Sequence, residues 1–332
     1  MNIKKIGLTA LAGSLVATSA FAGELSLSGA AQISYSDYSG TDAGTTASAA
    51  ADSNWGMNQD IAASGSGELD NGWTVSLTHA VSKATGSTAA SDSSYLTIDM
   101  GDAGVLTFSD QDADGGLSAL DDITPTAYEE STDGPIGISQ ASMPAGAGFH
   151  YQLPDIAGAS INISYSDNLT PNANTNDGGV STDGVDNGAS HSIGIQYPIG
   201  DTGATVYGGM GTESQVDGND IDHTTVGVKA TFGAISVGIQ RNDEDDTAAS
   251  SPVDLETTIL GVSYMINENL SVSYGNHSTS KDGAVDQDID SIQAAYTAGG
   301  VTVAAYNSKA TGVANVANKT SEKTEIRVSF AF

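Results

Sequence analysis

The chain has 332 residues, with 41 Asp and Glu residues against 10 Lys and Arg, 40 glycines and no cysteine. The length fits either two average domains or one large closed β-architecture, because β-barrels of about 250 residues are often single domains. The lack of cysteine excludes disulfide scaffolds and thiolate metal sites, and a formal net charge of −31 excludes a nucleic-acid partner, because phosphate binding depends on Lys and Arg.

The first 22 residues have the organisation of a secretory signal peptide. Lys4 and Lys5 precede an apolar segment at residues 6–16, and Ala20-Phe21-Ala22 fits an A-x-A cleavage site. A membrane anchor is disfavoured because this apolar segment is short and rich in Gly, Ser and Thr. The sequence predicts a signal peptide at 1–22 and an exported mature chain at 23–332, without the two lysines.

From Gly23 onward, apolar and small polar residues alternate with a period of two, which indicates strands with one apolar and one wet face. The segments Ile161-Asn162-Ile163-Ser164-Tyr165 and Ile326-Arg327-Val328-Ser329-Phe330 show the pattern. The predicted strands span residues 24–38, 55–67, 73–83, 93–100, 105–110, 147–153, 160–168, 190–198, 205–212, 223–232, 235–242, 255–266, 270–278, 288–298, 301–309 and 321–332.

Short and long connections alternate along this series of strands. Tight-turn residues occur at 70–72, 101–104, 154–158, 200–203, 233–234, 267–269 and 299–300, and long polar stretches occur at 39–54, 110–146, 169–189, 242–254 and 310–320. This alternation places the tight turns at one end of an antiparallel sheet and the long loops at the other.

An even number of strands, sixteen, favours closure of the sheet, since closure leaves no exposed edge. Sixteen strands enclose a lumen too wide for side chains to fill, so the wet face points inward and the apolar face points toward lipid. The sequence predicts an all-β fold, a transmembrane 16-stranded antiparallel up-and-down β-barrel. An aromatic girdle is predicted beside the short turns, formed by Trp73, Tyr197, Phe232, Tyr264 and Tyr296.

The mature chain resembles the general porins of Gram-negative bacteria, most closely the trimeric porins of alphaproteobacteria. The resemblance rests on the opening Glu24-Leu25-Ser26-Leu27-Ser28-Gly29, on Leu120-Asp121-Asp122-Ile123-Thr124-Pro125-Thr126-Ala127-Tyr128-Glu129-Glu130 in the third long loop, and on the terminal Phe330-Ala331-Phe332. It covers the whole mature chain, and the order of these features with the strand count makes it specific.

The resemblance implies an outer-membrane homotrimer through which small hydrophilic solutes and ions diffuse passively, with short periplasmic turns and long extracellular loops. It also implies that the third loop, at about 110–146, folds inward to form a constriction. In the family the C-terminal phenylalanine, here Phe332, helps the barrel-assembly machinery to recognise the chain. No enzymatic activity and no cofactor are implied.

The third loop carries eight acidic residues and no Lys or Arg: Asp110, Asp112, Asp114, Asp121, Asp122, Glu129, Glu130 and Asp133. An acidic loop at the narrowest point would raise the local concentration of cations, which predicts a cation preference. Similar porins carry basic residues on the opposite wall. Strand parity favours Lys229 and Arg327 for that role, and Arg241 and Lys83 are further candidates, with a surface position near the loop ends as the alternative.

A second pattern in the same loop fits calcium. Asp110, Asp112 and Asp114 are followed by Gly115 and by Asp121 at the twelfth position, which is the ligand spacing of a calcium loop. The final ligand is Asp instead of the usual Glu, and strands instead of helices flank the motif. A structural calcium ion is therefore a hypothesis beside the simpler interpretation of an acidic constriction loop.

Two other function classes have sequence signatures of their own. A substrate-specific channel would show rows of aromatic residues or basic ladders, which the sequence lacks. A calcium-stabilised adhesin or β-solenoid would suit the Gly and Asp content, but it would carry tandem glycine-rich nonapeptides, which are absent. An enzyme is unsupported, because no nucleophile constellation is visible and the histidines are scattered: His79, His150, His191, His223 and His277.

Overall fold

The computed structural model of the protein describes residues 25–41, 53–109, 115–121, 123–133, 148–167, 189–214, 220–246 and 254–332. The predicted signal peptide and parts of the long loops lie outside these ranges. The described chain forms sixteen strands. They are β1 (Leu25–Ser39), β2 (Asn54–Glu68), β3 (Thr74–Ala84), β4 (Ala90–Asp99), β5 (Val105–Ser109), β6 (Gly148–Gln152), β7 (Ser160–Asp167), β8 (Ala189–Pro198), β9 (Ala204–Ser214), β10 (Asp220–Phe232), β11 (Ile235–Asp246), β12 (Leu255–Asn267), β13 (Leu270–Lys281), β14 (Gln287–Ala298), β15 (Val301–Thr311) and β16 (Thr320–Ala331).

The sheet is a closed barrel in which each strand pairs with its neighbours in sequence and β1 pairs with β16. The closing register places Ala30 opposite Ala331. Gly29 and Phe332 exchange two backbone hydrogen bonds, of 2.8 and 2.9 Å, just beyond it. Closure satisfies the backbone groups that an edge strand would leave unpaired. The predicted 16-stranded up-and-down barrel is confirmed, and the β-solenoid alternative is wrong.

Side chains alternate between the lumen and the outer surface. Along β14, Ile289, Ser291 and Gln293 are buried, whereas Asp290 and Ile292 are exposed on the other face. Large apolar side chains that are exposed on the outer face recur around the barrel, as expected for a lipid-facing band. The predicted girdle residues Trp73, Tyr197, Phe232, Tyr264 and Tyr296 are all exposed.

The tight turns follow the predicted chemistry. Gly72, Gly233 and Gly299 have φ angles of +84°, +63° and +60°, a region that side chains other than glycine rarely occupy. The described helical segments are single 3-10 turns of three residues. None of them is long and apolar enough to cross a membrane.

Several strands extend further toward the long loops than the sequence predicts. β11 continues to Asp246 instead of residue 242, and β13 continues to Lys281 instead of residue 278. Alternation marks only the part of a strand that has an apolar face. Backbone pairing continues beyond it, where both faces are polar.

Candidate functional site

The third long loop connects β5 to β6 and is called L3 below. The structure describes it at residues 115–121 and 123–133. Leu117 and Leu120 are completely buried, and Ile123 is 5% exposed. These three side chains form an apolar cluster with Tyr207, which lies on the inward face of β9. L3 therefore lies inside the barrel, as the resemblance implies.

The wall beneath L3 is lined by inward-facing glycines on six consecutive strands, β8 to β13. We call this row the glycine groove. Gly194 pairs directly with Gly209, and Gly261 pairs with Gly238 on one side and with Gly275 on the other. The groove consists of Gly194, Gly209, Gly227, Gly238, Gly261 and Gly275.

L3 fills the space that side chains would otherwise occupy. A Cβ atom at Gly238 would come within 2.8 Å of Pro125 Cδ, and one at Gly261 would come within 2.9 Å of Thr124 Cβ. Both distances are shorter than a normal carbon–carbon contact. The missing side chains allow the loop to lie directly on the sheet, a known use of glycine within strands.

Hydrogen bonds fix the first half of L3 to this wall. The backbone N–H of Leu117 donates to Ser192 Oγ at 2.8 Å, and Gln240 Nε2 donates to the carbonyl oxygen of Leu120 at 2.8 Å. Gln240 is 1% exposed and Ser192 is 4% exposed. Buried polar side chains of the wall thus satisfy backbone groups of the loop.

The second half of L3 is held by β13, β14 and β15. Gln293 Oε1 accepts from the backbone N–H groups of Tyr128 and Glu129 at 3.0 and 2.9 Å, and its Nε2 donates to the carbonyl oxygen of Glu129. Ser273 Oγ accepts from the N–H of Ala127 at 2.8 Å. Ser308 Oγ donates to the carbonyl oxygen of Ser131 at 2.5 Å.

An ion cluster ends the path of L3 at β16. Arg327 forms an ion pair with Glu129 of the loop and a second pair, of 2.7 Å, with Glu325 on its own strand. Lys323 Nζ lies 3.0 Å from Glu325 Oε2, and Gln32 Oε1 accepts from Arg327 Nη1 at 3.2 Å. Both cations therefore form ion pairs with carboxylates.

Tyrosine rings surround these two cations. The Arg327 guanidinium lies 5.0 Å from the ring centroid of Tyr128, and Lys323 Nζ lies 5.2 Å from that of Tyr306 and 5.6 Å from that of Tyr38. The negative faces of the rings attract the cations. The cluster combines ion pairs and cation–π contacts from β1, β15, β16 and L3.

Burial influences the protonation of the loop residues in this cluster. It raises the pKa of the Glu129 carboxyl above its usual range, although the nearby Arg327 favours the charged form. Burial likewise raises the pKa of Tyr128. The phenol is therefore neutral at physiological pH, and the charge of Glu129 depends on its ion pair.

The four predicted acidic residues that the structure describes divide into two groups. Glu129 and Glu130 are half-buried, and Asp121 and Asp133 are exposed. Asp110, Asp112, Asp114 and Asp122 lie outside the described residues. The described residues contain no group of three or more His, Asp or Glu residues suited to a metal ion. The calcium hypothesis stays a prediction, since three of its four ligands lie outside those ranges.

The predicted basic residues have three different placements. Arg327 contacts L3, and Lys229 lies on the inward face of β10, opposite Gly238 of the groove. Arg241 shares the outward parity of Ile239 and pairs with outward-facing Asp243 and Glu256. Lys83 shares the outward parity of Leu77 on β3. The structure therefore corrects the wall assignment of Arg241 and Lys83, which lie on the outer surface.

Sequence reasoning missed the polar residues that hold the loop. Gln293, Ser273, Glu325 and Lys323 lie within predicted strands but are not among the predicted site residues. A local signal was present, because inward-facing glycines recur on consecutive strands and strand glycines often mark a close approach of another backbone. The partners themselves are distant in sequence, so no local pattern joins them.

Comparison with known proteins agrees with this architecture. Residues 7–303 match the family model of Gram-negative porins. Among solved structures, the anion-selective porin from Comamonas acidovorans superposes with a TM-score of 0.71 at 13% identity, covering 93% of this chain and 100% of that chain. An engineered variant of the Rhodopseudomonas blastica porin has a TM-score of 0.65 at 18% identity, with the same coverage. No curated protein matches in sequence. By its family match, the chain belongs to the Gram-negative porins.

Proposed function

We propose that the protein forms a water-filled outer-membrane channel through which small hydrophilic solutes and ions diffuse passively, with a preference for cations. The observation that carries the proposal is a closed 16-stranded barrel with an apolar outer face, a polar inner face and a loop inside the lumen. Such a barrel is wide enough to hold water beside L3.

The position of L3 indicates where solutes would pass. Its contacts with the glycine groove and with β13 to β16 place it against one side of the lumen. The inner faces of β1 to β5 are left to line the passage. They carry hydroxyl groups such as the Ser64–Thr78 and Thr97–Thr107 pairs, together with Asp60.

Cation preference is supported by the charges at the end of L3. Glu129, Glu130 and Glu325 lie there with Arg327 and Lys323, and both cations are paired. The strands β1 to β7 contain one Lys or Arg, Lys83, and it points outward. An acidic surplus beside the passage attracts cations. Anion selectivity belongs to the Comamonas porin, whose low identity supports a common fold alone.

We further propose that the mature chain begins near Gly23 and assembles as a homotrimer in outer-membrane lipid. Phe332 is proposed as the signal for the barrel-assembly machinery. It is 78% exposed, so its ring is accessible while its backbone closes the barrel. The family resemblance supports these steps of maturation.

The experiment is planar-bilayer recording of the purified protein across a potassium chloride gradient. The proposal expects stepwise conductance and a cation-selective reversal potential. Glu129→Gln should lower the cation-to-anion permeability ratio roughly two- to fivefold, because a unit charge at about 4 Å contributes about 1 kcal/mol in water. The recordings should use low salt to limit screening.

Glu322→Gln is the matched control, because Glu322 lies on the outward face of β16 and bonds Asn307. It should leave the permeability ratio unchanged. Folded protein without conductance would contradict the channel. An anion-selective reversal potential, or equal effects of the two substitutions, would contradict the role assigned to Glu129.

A further inference from the structure

The outer wall of the barrel contains a recess of about 630 Å³ that crosses β7 to β11. Its volume falls within the roughly 300–1,000 Å³ of small-molecule sites. It is formed mainly by outward-facing residues of these strands, among them Ile193, Met210, Asp222 and Asp245. The recess therefore opens on the face of the sheet opposite L3.

The floor of the recess is a row of apolar side chains on the lipid-facing surface. Ile163 pairs with Ile193, and Ile193 pairs with Met210, so the three lie side by side on neighbouring strands. Met210 is 63% exposed and Ile163 is 40% exposed. The next residue in this row is Thr224, the partner of Met210, and its shorter side chain makes the recess deeper there.

A polar row lies two residues nearer the long loops. His191, Thr212, Asp222 and Asp245 are successive cross-strand partners on β8 to β11. Two residues along a strand correspond to about 7 Å. The recess is therefore apolar toward the membrane interior and polar toward the loop end, which is the arrangement that an amphipathic lipid matches.

The charge of the polar row restricts the head group. Asp222 and Asp245 are directly opposite each other, a position in which Cβ atoms lie about 5 Å apart and like charges repel. None of the described residues that line the recess is Lys or Arg. The nearby outward Arg241 is already paired with Asp243 and Glu256. A head group with a positive charge would complement these carboxylates, whereas a purely anionic one would be repelled.

We propose that this recess binds an amine-bearing membrane lipid. An acyl chain would cover Met210, Ile193 and Ile163, and the ammonium group would lie against Asp222 and Asp245. The occupant is a lipid because the floor belongs to the outward apolar band that faces the membrane. The proposal adds a lipid site on the wall to the channel in the lumen and does not depend on channel activity.

Native mass spectrometry of the purified full-length protein tests the proposal. The detergent solution would contain phosphatidylethanolamine and phosphatidylglycerol with identical acyl chains, as the amine-bearing and anionic probes. We expect at least fivefold more retained phosphatidylethanolamine. The double substitution D222N/D245N should abolish this preference, and Met210→Trp should lower retention of both lipids by filling the floor.

Two control variants match these changes. Met57→Trp alters another exposed methionine, on the outward face of β2 and away from the recess, and Asp290→Asn alters an outward carboxylate of β14 that accepts a hydrogen bond from Tyr274. Both should retain lipid like the unmodified protein. Heat-modifiable migration on gels would verify that each variant forms a closed barrel.

Three results would overturn the proposal. Equal retention of the two lipids would exclude recognition of the amine. Equal retention by the Met210→Trp and Met57→Trp variants would exclude the recess as the site. A change of oligomeric state caused by Met210→Trp alone would show that another copy of the chain covers this face.

Discussion

Replacing Gly238 with alanine tests whether the glycine groove sets the position of L3. The new Cβ would lie 2.8 Å from Pro125 Cδ and 3.2 Å from Thr124 Cα. Carbon atoms pack at about 3.5–4.0 Å, so the loop would have to withdraw by about 1 Å. A proline ring and a backbone atom cannot rotate away. Overpacking of this kind costs about 1–3 kcal/mol.

That free energy should favour release of the loop from the wall. Since 1.4 kcal/mol corresponds to a factor of ten, the released population should rise roughly five- to 150-fold. The assay uses Thr124→Cys as a background, because residue 124 is 7% exposed and the chain has no other cysteine. Maleimide labelling in the Gly238→Ala variant should accelerate by this factor, and single-channel conductance should change.

Two glycines provide graded controls. A Cβ at Gly65 would meet nothing within 4 Å, so Gly65→Ala should label at the background rate. A Cβ at Gly275 would lie 3.4 Å from Ser131 Oγ, a normal contact, so Gly275→Ala should have a small effect. Equal labelling rates and equal conductance in the Gly238→Ala and Gly65→Ala variants would refute the assignment of the groove as the seat of L3.

Other parts of the site give further expectations. Arg327→Gln should raise the pKa of Glu129 further, because it removes the ion pair that favours the charged form of this half-buried carboxyl; reversal potentials measured against pH should therefore show cation preference lost at a higher pH than in the unmodified channel. Because burial raises the pKa of Glu129, this carboxylate should lose its negative charge at a higher pH than an ordinary glutamate, and cation preference should fall at that pH. Reversal potentials measured as a function of pH check this, and the Glu129→Gln variant should lack that step. Deletion of Phe332 should reduce the heat-modifiable folded fraction in membranes, because it removes the proposed assembly signal and the hydrogen bonds to Gly29.

The barrel could be predicted from the sequence because strand alternation is unambiguous when one face meets lipid and the other meets water. A shift of one residue exchanges the faces of the whole strand. In β14, Ile292 and Tyr296 point outward while Gln293 points inward, as their alternation indicates. The same parity separates Arg327, which contacts the loop, from Arg241, which shares its face with Ile239.

The attachment of L3 could not be predicted in the same way. Glu129 and Arg327 are 198 positions apart in the chain, and Glu129 and Gln293 are 164 apart. Their proximity depends on barrel closure and on the direction in which the loop crosses the lumen. The sequence supplied the acidic character of the loop, but not the fact that the carboxylate of Glu129 is paired with an arginine on the wall.

The distribution of glycine across the two sides of the barrel explains why L3 lies where it does. A glycine in the interior of a strand lowers the stability of the fold by about 0.5–1 kcal/mol relative to alanine. Six such glycines on one inner wall require a compensating contact, which the buried loop provides. On the opposite wall, inward positions of β2 and β4 carry larger side chains such as Asn58 and Tyr95. A loop placed there would meet these side chains instead of the open space that the glycines leave. The same distribution therefore seats L3 on one wall and leaves the proposed passage against the other.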